Sequence, residues 1–381
     1  MADHRTPAVA VTGMSAVSGF GRGTEALCDA LFAGRTAFGP VTRFDVSRRR
    51  ARSAATMDGP ADLADELAWA ADEACRSAGL QSPLREACPV LLAVHADPAL
   101  ARSADPARAA AGAADSAVVL ARRCGLGPAI RAYTTGCIAG STAVIDAVQM
   151  IRSGRSERVL VVAGYLVDAD YFIAFDAGRA LSPGGVVRSF SKARDGMLLG
   201  DAAAAVLLES AEAAERRGAP RHALLAGWGR TGDGYHVCQP KPDGDGVARA
   251  VEAALDRAGL PAERIGYVNA HGTGTKQSDA AEAIGLRRAL GTYAERVPLS
   301  STKSAHGHTL EGSALLELVI TVLALQRGRL PVNAGYQDQD PDCALNLVLE
   351  PATTDAEYGL SVNSAFGGAN TALVVQAGSR D

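Results

Sequence analysis

The chain has 381 residues, 48% of them hydrophobic and 21% charged, which suits one large globular domain or two halves that share a core. A net charge of −4 argues against a general affinity for nucleic acid, and the absence of a membrane-length apolar run argues against a membrane protein. Seven cysteines, odd in number and without a CxxC pair, argue against disulfides and a metal site and favour a cytoplasmic protein.

Strands and helices alternate along the first half of the chain. The predicted elements are a strand over 8–13, a helix over 25–33 with Thr24 as its N-cap and Gly34 as its stop, an amphipathic helix over 61–79, a strand over 90–94, an Ala-rich helical segment over 97–122, a helix after Cys137, and strands over 158–164 and 202–208.

Small residues surround Cys137 and an apolar pattern of helical period follows it. This places the cysteine on a tight turn at a helix N-terminus, where unpaired N–H groups favour a thiolate, so we expect a lowered thiol pKa. A buried structural cysteine is the alternative at this point.

The second half repeats the order of the first. Its predicted elements are a strand over 223–228, a helix over 247–259, a strand over 265–269, a strand end at 297–300, a helix over 311–327, and strands over 360–363 and 371–376. The residues of 200–208 also echo those of 367–375. Alternation of this kind predicts an α/β protein with largely parallel sheets, built from two related halves that enclose a pocket between them.

Polar residues gather in three loops of the second half. His271 lies in the loop 269–275, Lys303, His306 and His308 lie in the loop 300–308, and the third, glycine-rich stretch covers 363–370. Strand ends are where parallel-sheet proteins place their chemistry. A cysteine and a histidine are the minimum for acyl transfer, and a second histidine suits a step that builds an enolate, because neutral imidazoles can donate hydrogen bonds to it.

These stretches resemble the β-ketoacyl-acyl carrier protein synthases, specifically the elongating type with one Cys and two His. The resemblance also covers 11–18, 190–196 and the Phe-Gly-Gly-X-Asn sequence that begins at Phe366. It implies a thiolase-like fold, in which two pseudo-twofold-related βα halves form a layered α/β/α/β/α core. The half 1–215 would carry the nucleophile, and the half 216–381 the histidines and the lysine.

The resemblance implies a role for each candidate residue. Cys137 would take an acyl chain from a carrier protein, and His271 and His308 would hold the malonyl thioester and promote its decarboxylation. The backbone N–H groups of Cys137 and Phe366 would form the oxyanion hole. Further roles fall to Lys303 in ordering the site, to Glu317 as its partner, to Thr273 and Thr275 in binding pantetheine, and to Lys192, Arg194 and the basic cluster 48–52 in carrier-protein docking.

No cofactor of the chain's own is implied, since phosphopantetheine arrives on the carrier protein. We expect a homodimer, with a heterodimer containing a chain-length-factor-like subunit as the alternative. His236 and Cys238 lack further metal ligands nearby and are interpreted as structural.

The sequence departs from the family at several positions. Gly136 precedes the cysteine where Ala is more usual, His306 replaces a hydroxyl residue, Glu311 replaces a small Gly, and the segment 96–117 is short. These differences suggest a specialised member, in polyketide or other secondary metabolism.

Two other functions remain open from the sequence. One is a same-fold acyltransferase without decarboxylation, against which the presence of both His271 and His308 argues. The other is a non-catalytic partner subunit, against which the presence of Cys137 argues.

Overall fold

The computed structural model describes residues 7–95 and 112–378. The first half contains strands β1 (Val9–Ser18), β2 (Gly21–Arg22), β3 (Gly39–Pro40), β4 (Ser53–Ala54), β5 (Val90–Ala93), β6 (Ala129–Tyr133), β7 (Arg158–Tyr165) and β8 (Ala202–Ser210). Its helices are α1 (Thr24–Phe32), α2 (Leu63–Ser77), α3 (Ala113–Arg123), α4 (Ala139–Arg152), α5 (Ala169–Ala177) and α6 (Ala211–Arg216). The predicted helical segment over 97–122, and the segment 96–117 noted as short, fall mostly outside the described residues.

The second half contains a matching set of elements. Its strands are β9 (Ala223–Gly232), β10 (Ile265–Asn269), β11 (Leu299–Ser300), β12 (Arg329–Leu330), β13 (Ala352–Thr353), β14 (Tyr358–Ala365) and β15 (Ala369–Ala377). Its helices are α7 (Asp245–Ala258), α8 (Lys276–Leu290), α9 (Lys303–His306) and α10 (Ser313–Arg327).

The two halves build their sheets in the same order. The first half reads β1-β8-β7-β5-β6 and the second reads β9-β15-β14-β10-β11. In each half the first two pairings are antiparallel and the last two are parallel. The similar stretches noted in the sequence are β8 and β15, which occupy the same place in this order. The predicted pair of related α/β halves is therefore confirmed, but the expected largely parallel sheets are wrong, because half of the strand pairings in each half are antiparallel.

The two sheets join at their first strands. β1 pairs with β9 in antiparallel fashion through Ala10 with Leu224 and Val11 with Ala223. The predicted boundary between the halves 1–215 and 216–381 falls at the last residue of α6, Arg216, just before the connection to β9; whether each half is a separate domain stays a prediction.

Successive side chains of each strand point to opposite faces of the sheet, and this divides the core into layers. In β8, Ala202, Ala204, Val206 and Leu208 pack with the central helices α4 and α10, while Ala203, Ala205 and Leu207 pack against α2 and α3. In β15, Leu373 and Val375 face the same central helices, and Ala372 and Val374 face α7 and α8 on the far side. The resulting order of layers is helix, sheet, helix, sheet, helix.

The central helices carry the residues nearest the candidate site. Helix α10 is largely apolar, and its residues from Ser313 to Leu325, including Glu317, are all buried, as expected for a helix enclosed between two sheets. Helix α4 approaches α10 closely at Gly140, where an added Cβ would lie 2.9 Å from the backbone nitrogen of Leu315. Only glycine allows this contact.

One predicted helix start is wrong. The N-cap of α1 is Gly23, with φ of 106°, and Thr24 is already the first helical residue. Glycine takes this left-handed conformation without strain, so the backbone reverses one residue earlier than the side-chain pattern indicates. Among the described residues no helix is long and apolar enough to cross a membrane.

Candidate active site

Cys137 lies on a turn between β6 and α4. The turn, Gly136–Ile138, is one stretch of 3₁₀ helix that leads directly into α4 at Ala139. Gly136 has a φ of 60°, which an L side chain adopts only with strain. The cysteine is partly exposed, unlike its neighbours on α4. The predicted position at a helix start is confirmed.

The predicted direction of the Cys137 pKa is wrong. Burial and the nearby charge of Glu311 raise the pKa of the thiol to about 12. The ammonium of Lys303 acts in the opposite direction but is the weaker influence. Burial in a site of low polarity disfavours the charged form, and here it outweighs the helix start. At neutral pH the group is therefore a thiol.

The loop that carries His271 is held by two carboxylates of helix α8. Glu282 accepts hydrogen bonds from the backbone N–H of His271 at 2.6 Å and of Gly272 at 2.7 Å. Asp279, one turn earlier, accepts from the N–H of Phe190 at 2.7 Å and of Gly274 at 3.1 Å. These contacts fix the backbone on which His271 stands.

Burial affects both loop-holding carboxylates. It raises the pKa of Asp279 to about 6 and that of Glu282 to about 8, although the N–H donors counteract it in each case. The two side chains thus hold the loop while fully enclosed, at 0% and 2% exposure.

Lys303 forms a buried ion pair at the base of the site. Its Nζ lies 2.5 Å from Oε1 of Glu317, and the two side chains are 1% and 0% exposed. The other oxygen of Glu317 accepts a hydrogen bond from Nδ2 of Asn363 at 2.5 Å. Burial raises the pKa of Glu317, and Lys303 opposes that shift. Three elements, α9, α10 and β14, are thereby tied together at one point.

Hydrogen bonds define the tautomer of His308. The backbone N–H of Leu310 donates to Nδ1 at 3.2 Å, so Nδ1 is the unprotonated nitrogen. The hydroxyl of Ser313 lies 2.9 Å from the same atom. Nε2 therefore carries the proton and is the donor that this ring offers to a ligand.

The two histidines face one another as neutral rings. The ring centroids of His271 and His308 lie 5.5 Å apart at an interplanar angle of 87°. Burial lowers the pKa of each imidazole well below its usual value, and the charge of Lys303 lowers it further. The same ammonium acts on Cys137, so the charge of one lysine influences the nucleophile and both rings. A neutral imidazole can donate a hydrogen bond without adding a charge.

Phe366 lies next to the turn of Cys137. It follows β14, whose end contacts that turn, and a Cβ on Gly136 would lie 3.8 Å from the Cβ of Ala365. Gly367 and Gly368 have φ of 87° and 72°, and the N–H of Gly367 donates to the carbonyl of Val237 at 2.8 Å. The ring of Phe366 is 58% exposed. Its part in an oxyanion hole stays a prediction.

Two hydroxyl groups lie side by side on the His271 loop. Oγ1 of Thr273 and Oγ1 of Thr275 are 3.0 Å apart. One bond between them uses one hydroxyl hydrogen and leaves the other free to donate. They could bind an amide of a pantetheine arm, which stays a prediction.

Comparison with known proteins identifies this arrangement. Two sequence families match: "Beta-ketoacyl synthase, N-terminal domain" over residues 104–214 and "Beta-ketoacyl synthase, C-terminal domain" over residues 222–337. The chain belongs to the beta-ketoacyl synthase family.

Curated relatives cover the ketosynthase from end to end. It is 33% identical to the tetracenomycin polyketide synthase ketoacyl synthase alpha subunit of Streptomyces glaucescens, over 98% of each chain. It is 30% identical to 3-oxoacyl-[acyl-carrier-protein] synthase 2 of Synechocystis sp., over 98% of this chain and 99% of that one. The predicted ketosynthase function, in polyketide and fatty-acid synthesis, and its acyltransferase class are confirmed.

Solved structures agree with the fold. The ishigamide ketosynthase/chain length factor superposes with a TM-score of 0.89 at 29% identity, over 98% of this chain and 100% of that one. A beta-ketoacyl synthase from Burkholderia phymatum STM815 gives 0.88 at 29% identity with the same coverage. The predicted thiolase-like fold is therefore confirmed for this ketosynthase.

The expected docking role of Arg194 needs correction. Its side chain is 4% exposed, and the guanidinium is ion-paired with Asp340 and donates to the carbonyls of Ser191 at 2.9 Å and Lys276 at 3.0 Å. These contacts hold Arg194 within the ketosynthase and leave little of its side chain exposed to another protein, although it lines the same surface pocket as Lys192. Lys192 is exposed and lines a pocket of about 430 Å³ on the surface.

His306 lies beneath the site of the ketosynthase. Its side chain is fully buried, and Nε2 lies 3.0 Å from Oγ1 of Thr302. Burial and the charge of Lys303 lower its pKa to about 3, so it is neutral at physiological pH. It therefore adds no charge to the site.

Residues 7–95 and 112–378 contain no group of three or more His, Cys, Asp or Glu placed to hold a metal ion.

Asp279 and Glu282 are the site residues that sequence analysis missed. They lie on α8, a helix that was not predicted, and their spacing of three residues directly after the His271 loop was the available signal. A carboxylate pair at the start of a helix is usually solvated, so burial was the unexpected property.

Proposed function

We propose that this ketosynthase catalyses the decarboxylative condensation of an acyl group on Cys137 with a malonyl thioester, giving a 3-ketoacyl thioester. The observation that supports it is a pair of adjacent neutral imidazoles, with ring centroids 5.5 Å apart, together with one buried lysine whose charge acts on both rings and on Cys137. Simple acyl transfer needs only one base beside the nucleophile.

The first step is transfer of the acyl group to Cys137. The sulfur attacks the carbonyl carbon of the incoming thioester, and the negative oxygen accepts hydrogen bonds from the N–H groups of Cys137 and Phe366. The bond between the carbonyl carbon and the pantetheine sulfur then breaks, and the proton of the cysteine thiol leaves on the pantetheine thiol. One donor of this kind is typically worth about 3–4 kcal/mol of barrier.

The second step joins the two substrates. The malonyl thioester oxygen accepts hydrogen bonds from His271 and from Nε2–H of His308. CO₂ leaves, and the electron pair of the broken C–C bond stays on the thioester as an enolate. The enolate carbon attacks the acyl-Cys carbonyl, the C–S bond to Cys137 breaks, and the sulfur leaves as a thiolate that takes a proton from solvent. Neutral donors stabilise the enolate without holding the malonyl carboxylate as an ion pair.

The acyl and malonyl groups would arrive on phosphopantetheine attached to an acyl carrier protein, the partner named in the description of the Synechocystis relative. Thr273 and Thr275 would bind the arm, while Lys303 with Glu317 would keep the site in order. Lys192 and the exposed arginines of the cluster 48–52 would meet the acidic carrier. No resident cofactor is proposed.

A dimer is the proposed assembly. Strand β6 ends the sheet of the described residues, and Ile130 on it and Val119 on the neighbouring α3 are 49% and 56% exposed. An apolar edge strand favours pairing with a second chain. The partner would be a second copy or a chain-length-factor-like subunit, the kind named for the ishigamide structure.

All seven cysteines are free thiols, which supports a cytoplasmic location.

A two-substrate assay tests the function. The protein is incubated first with an acyl-carrier protein and then with malonyl-carrier protein, and intact-protein mass and released CO₂ are followed. We expect an acyl adduct that Cys137→Ala abolishes, and CO₂ release that depends on both substrates. Cys238→Ser removes the exposed thiol and should leave the adduct unchanged, which controls for non-specific acylation.

Two results would contradict the proposal. An adduct without CO₂ would make the protein a simple acyltransferase. No adduct in the wild type would indicate a non-catalytic partner subunit.

A further inference from the structure

A buried carboxylate stands beside the nucleophile. Glu311 lies on the turn Leu310–Gly312, which contacts the turn of Cys137, and it is 5% exposed. Of the charged groups around the Cys137 thiol, Glu311 acts most strongly, ahead of Lys303. The condensation proposed above gives this carboxylate no task.

Glu311 has one partner among the described residues. Its Oε2 lies 3.2 Å from Nδ1 of His95, whose side chain is 11% exposed. A carboxylate has about four acceptor positions, and no described residue donates to Oε1. Leu310, the preceding residue, has a φ of 41°, which is unusual for a branched side chain. The turn thus presents a carboxylate with unused acceptor capacity.

Aromatic rings connect this pair to the entrance of the site. The ring of His95 lies 4.6 Å from that of Tyr171, Tyr171 lies 6.5 Å from Phe175, and Phe175 lies 5.9 Å from the exposed Phe366. The charge of Glu311 also acts on the Tyr171 hydroxyl and helps to raise its pKa, after burial. We call the part of the site bordered by Cys137, this row of rings and Glu311 the acyl cleft.

The rest of the acyl cleft is apolar. Cys137, Tyr171 and Phe175 pack against a buried cluster of hydrophobic side chains. This cluster contains Val41, Ala51, Ala54, Tyr165, Val167, Phe172, Leu181, Met197, Leu199 and Leu310. The side chains that border the acyl cleft are therefore mostly apolar, with Glu311 and His95 as polar exceptions, the composition that small-molecule sites use to orient a ligand.

We propose that the acyl cleft selects acyl groups that carry a hydrogen-bond donor, such as a hydroxyl, and disfavours those that end in a carboxylate. A plain alkyl chain would cover Oε1 of Glu311 without donating a hydrogen bond to it, which costs free energy. A donor on the chain would supply that hydrogen bond, whereas a carboxylate on the chain would be repelled. This inference rests on the proposed function, because it takes Cys137 as the acyl acceptor.

The step concerned is acyl transfer alone. The Cys137 sulfur bonds to the acyl carbon, the bond to the pantetheine sulfur breaks, and the thiol proton leaves on pantetheine. The acyl chain itself is unchanged, so its donor contributes only to binding and to the transition state of this transfer.

The test compares pantetheine thioesters of equal chain length. Hexanoyl-, 3-hydroxyhexanoyl-, 6-hydroxyhexanoyl- and adipoyl-pantetheine are offered to the Cys238→Ser protein, and initial rates of adduct formation are read from intact mass. We expect one of the hydroxylated chains to react about tenfold faster than hexanoyl, and adipoyl to react about tenfold slower. Pantetheine thioesters avoid any influence of carrier-protein docking.

Two variants separate the hydrogen bond from the charge. Glu311→Ala should abolish the preference for the hydroxylated chain. Glu311→Gln keeps an acceptor oxygen, so it should relieve the rejection of adipoyl while part of the hydroxyl preference remains. Glu350→Ala, at an exposed position, is the matched control and should leave all ratios as in the wild type. Iodoacetamide labelling that reaches Cys137 but leaves the five buried cysteines unlabelled establishes that each variant is folded.

The outcomes distinguish this inference from the proposed function. If the four thioesters acylate the wild type at similar rates, or if Glu311→Ala leaves the ratios unchanged, the selection by Glu311 is wrong and the ketosynthase function stands. If no thioester and no acyl-carrier protein acylates Cys137, the proposed function itself fails.

Discussion

The position of Cys137 depends on residues close to it in the sequence, whereas its pKa depends on distant ones. The small residues beside it and the helical pattern after it are local, so the sequence could place it at the start of α4. Its pKa depends on burial and on Glu311, which approaches only when the two halves fold together. No local pattern contains that information, and the expected lowering of the pKa was therefore wrong.

We expect alkylation of Cys137 to accelerate with pH without a plateau near neutrality. Only the thiolate reacts, and a pKa of about 12 leaves a small thiolate fraction that grows about tenfold for each pH unit between 7 and 10. The measurement is the rate of iodoacetamide addition in a Cys238→Ser background, followed by mass. Glu311→Gln should raise the rate at fixed pH, because it removes a charge that disfavours the thiolate. A plateau near pH 8 would contradict the raised pKa.

The Lys303–Glu317 pair gives a second prediction at the scale of the residue. Glu317→Gln leaves a buried ammonium without its counter-charge, and we expect the free energy of unfolding to fall by about 3–5 kcal/mol. Urea denaturation followed by circular dichroism measures it. Glu357→Gln, in the exposed pair with Arg264, is the control and should cost far less. Equal losses in the two variants would mean that the buried pair does not stabilise the fold.

Helix α8 is the element that sequence reasoning failed to find, although it holds the His271 loop. Buried residues on it include Asp279, Glu282, Leu286 and Leu290, so its inward face mixes carboxylates with apolar side chains. Because such a face lacks a continuous apolar stripe, the sequence of α8 does not show the pattern of an amphipathic helix. Helices α4 and α10 were found because most of their buried residues are apolar, with few polar exceptions such as Ser141 on α4 and Glu317 on α10.

We expect Glu282→Gln to impair condensation more than acylation. An amide accepts through one oxygen only, so one of the N–H groups of His271 and Gly272 loses its acceptor and the imidazole shifts. Displacement of about 1 Å can cost about 100-fold in rate, and we expect malonyl decarboxylation to fall by about 10- to 100-fold. Formation of the acyl adduct on Cys137 should change little. Glu252→Gln, exposed on α7, is the control; equal losses of both half-reactions would contradict a loop-holding role.

The whole molecule follows from the repeated order of strands. Buried apolar strands, interrupted by helices of period 3.6, were sufficient to predict two related α/β halves. The pairing of β1 with β9 and the helix α5 were not predicted, since nothing local marks a strand that pairs across halves. The convergence of the catalytic loops was inferred from family resemblance, which supplied contacts that spacing alone could not.

Assembly is the prediction at this scale. Ile130→Lys places a charge on the edge strand β6, and we expect it to convert a dimer into a monomer, because a buried unpaired charge is costly at an interface. Size-exclusion chromatography with light scattering measures the mass. Leu349→Lys alters an apolar side chain of similar exposure, 47% against 49%, and should leave the dimer intact. A dimer that survives Ile130→Lys would exclude β6 as the interface.

The close approach of α4 and α10 at Gly140 has a consequence for how this enzyme can evolve. Cys137 and His308 lie just before α4 and α10, the two innermost helices. The reacting groups are therefore held by the stiff interior of the protein. Changes that loosen the middle of the protein should slow turnover before any unfolding is visible. New substrate preferences must therefore arise by replacing side chains around the acyl cleft, while the two helices themselves stay fixed.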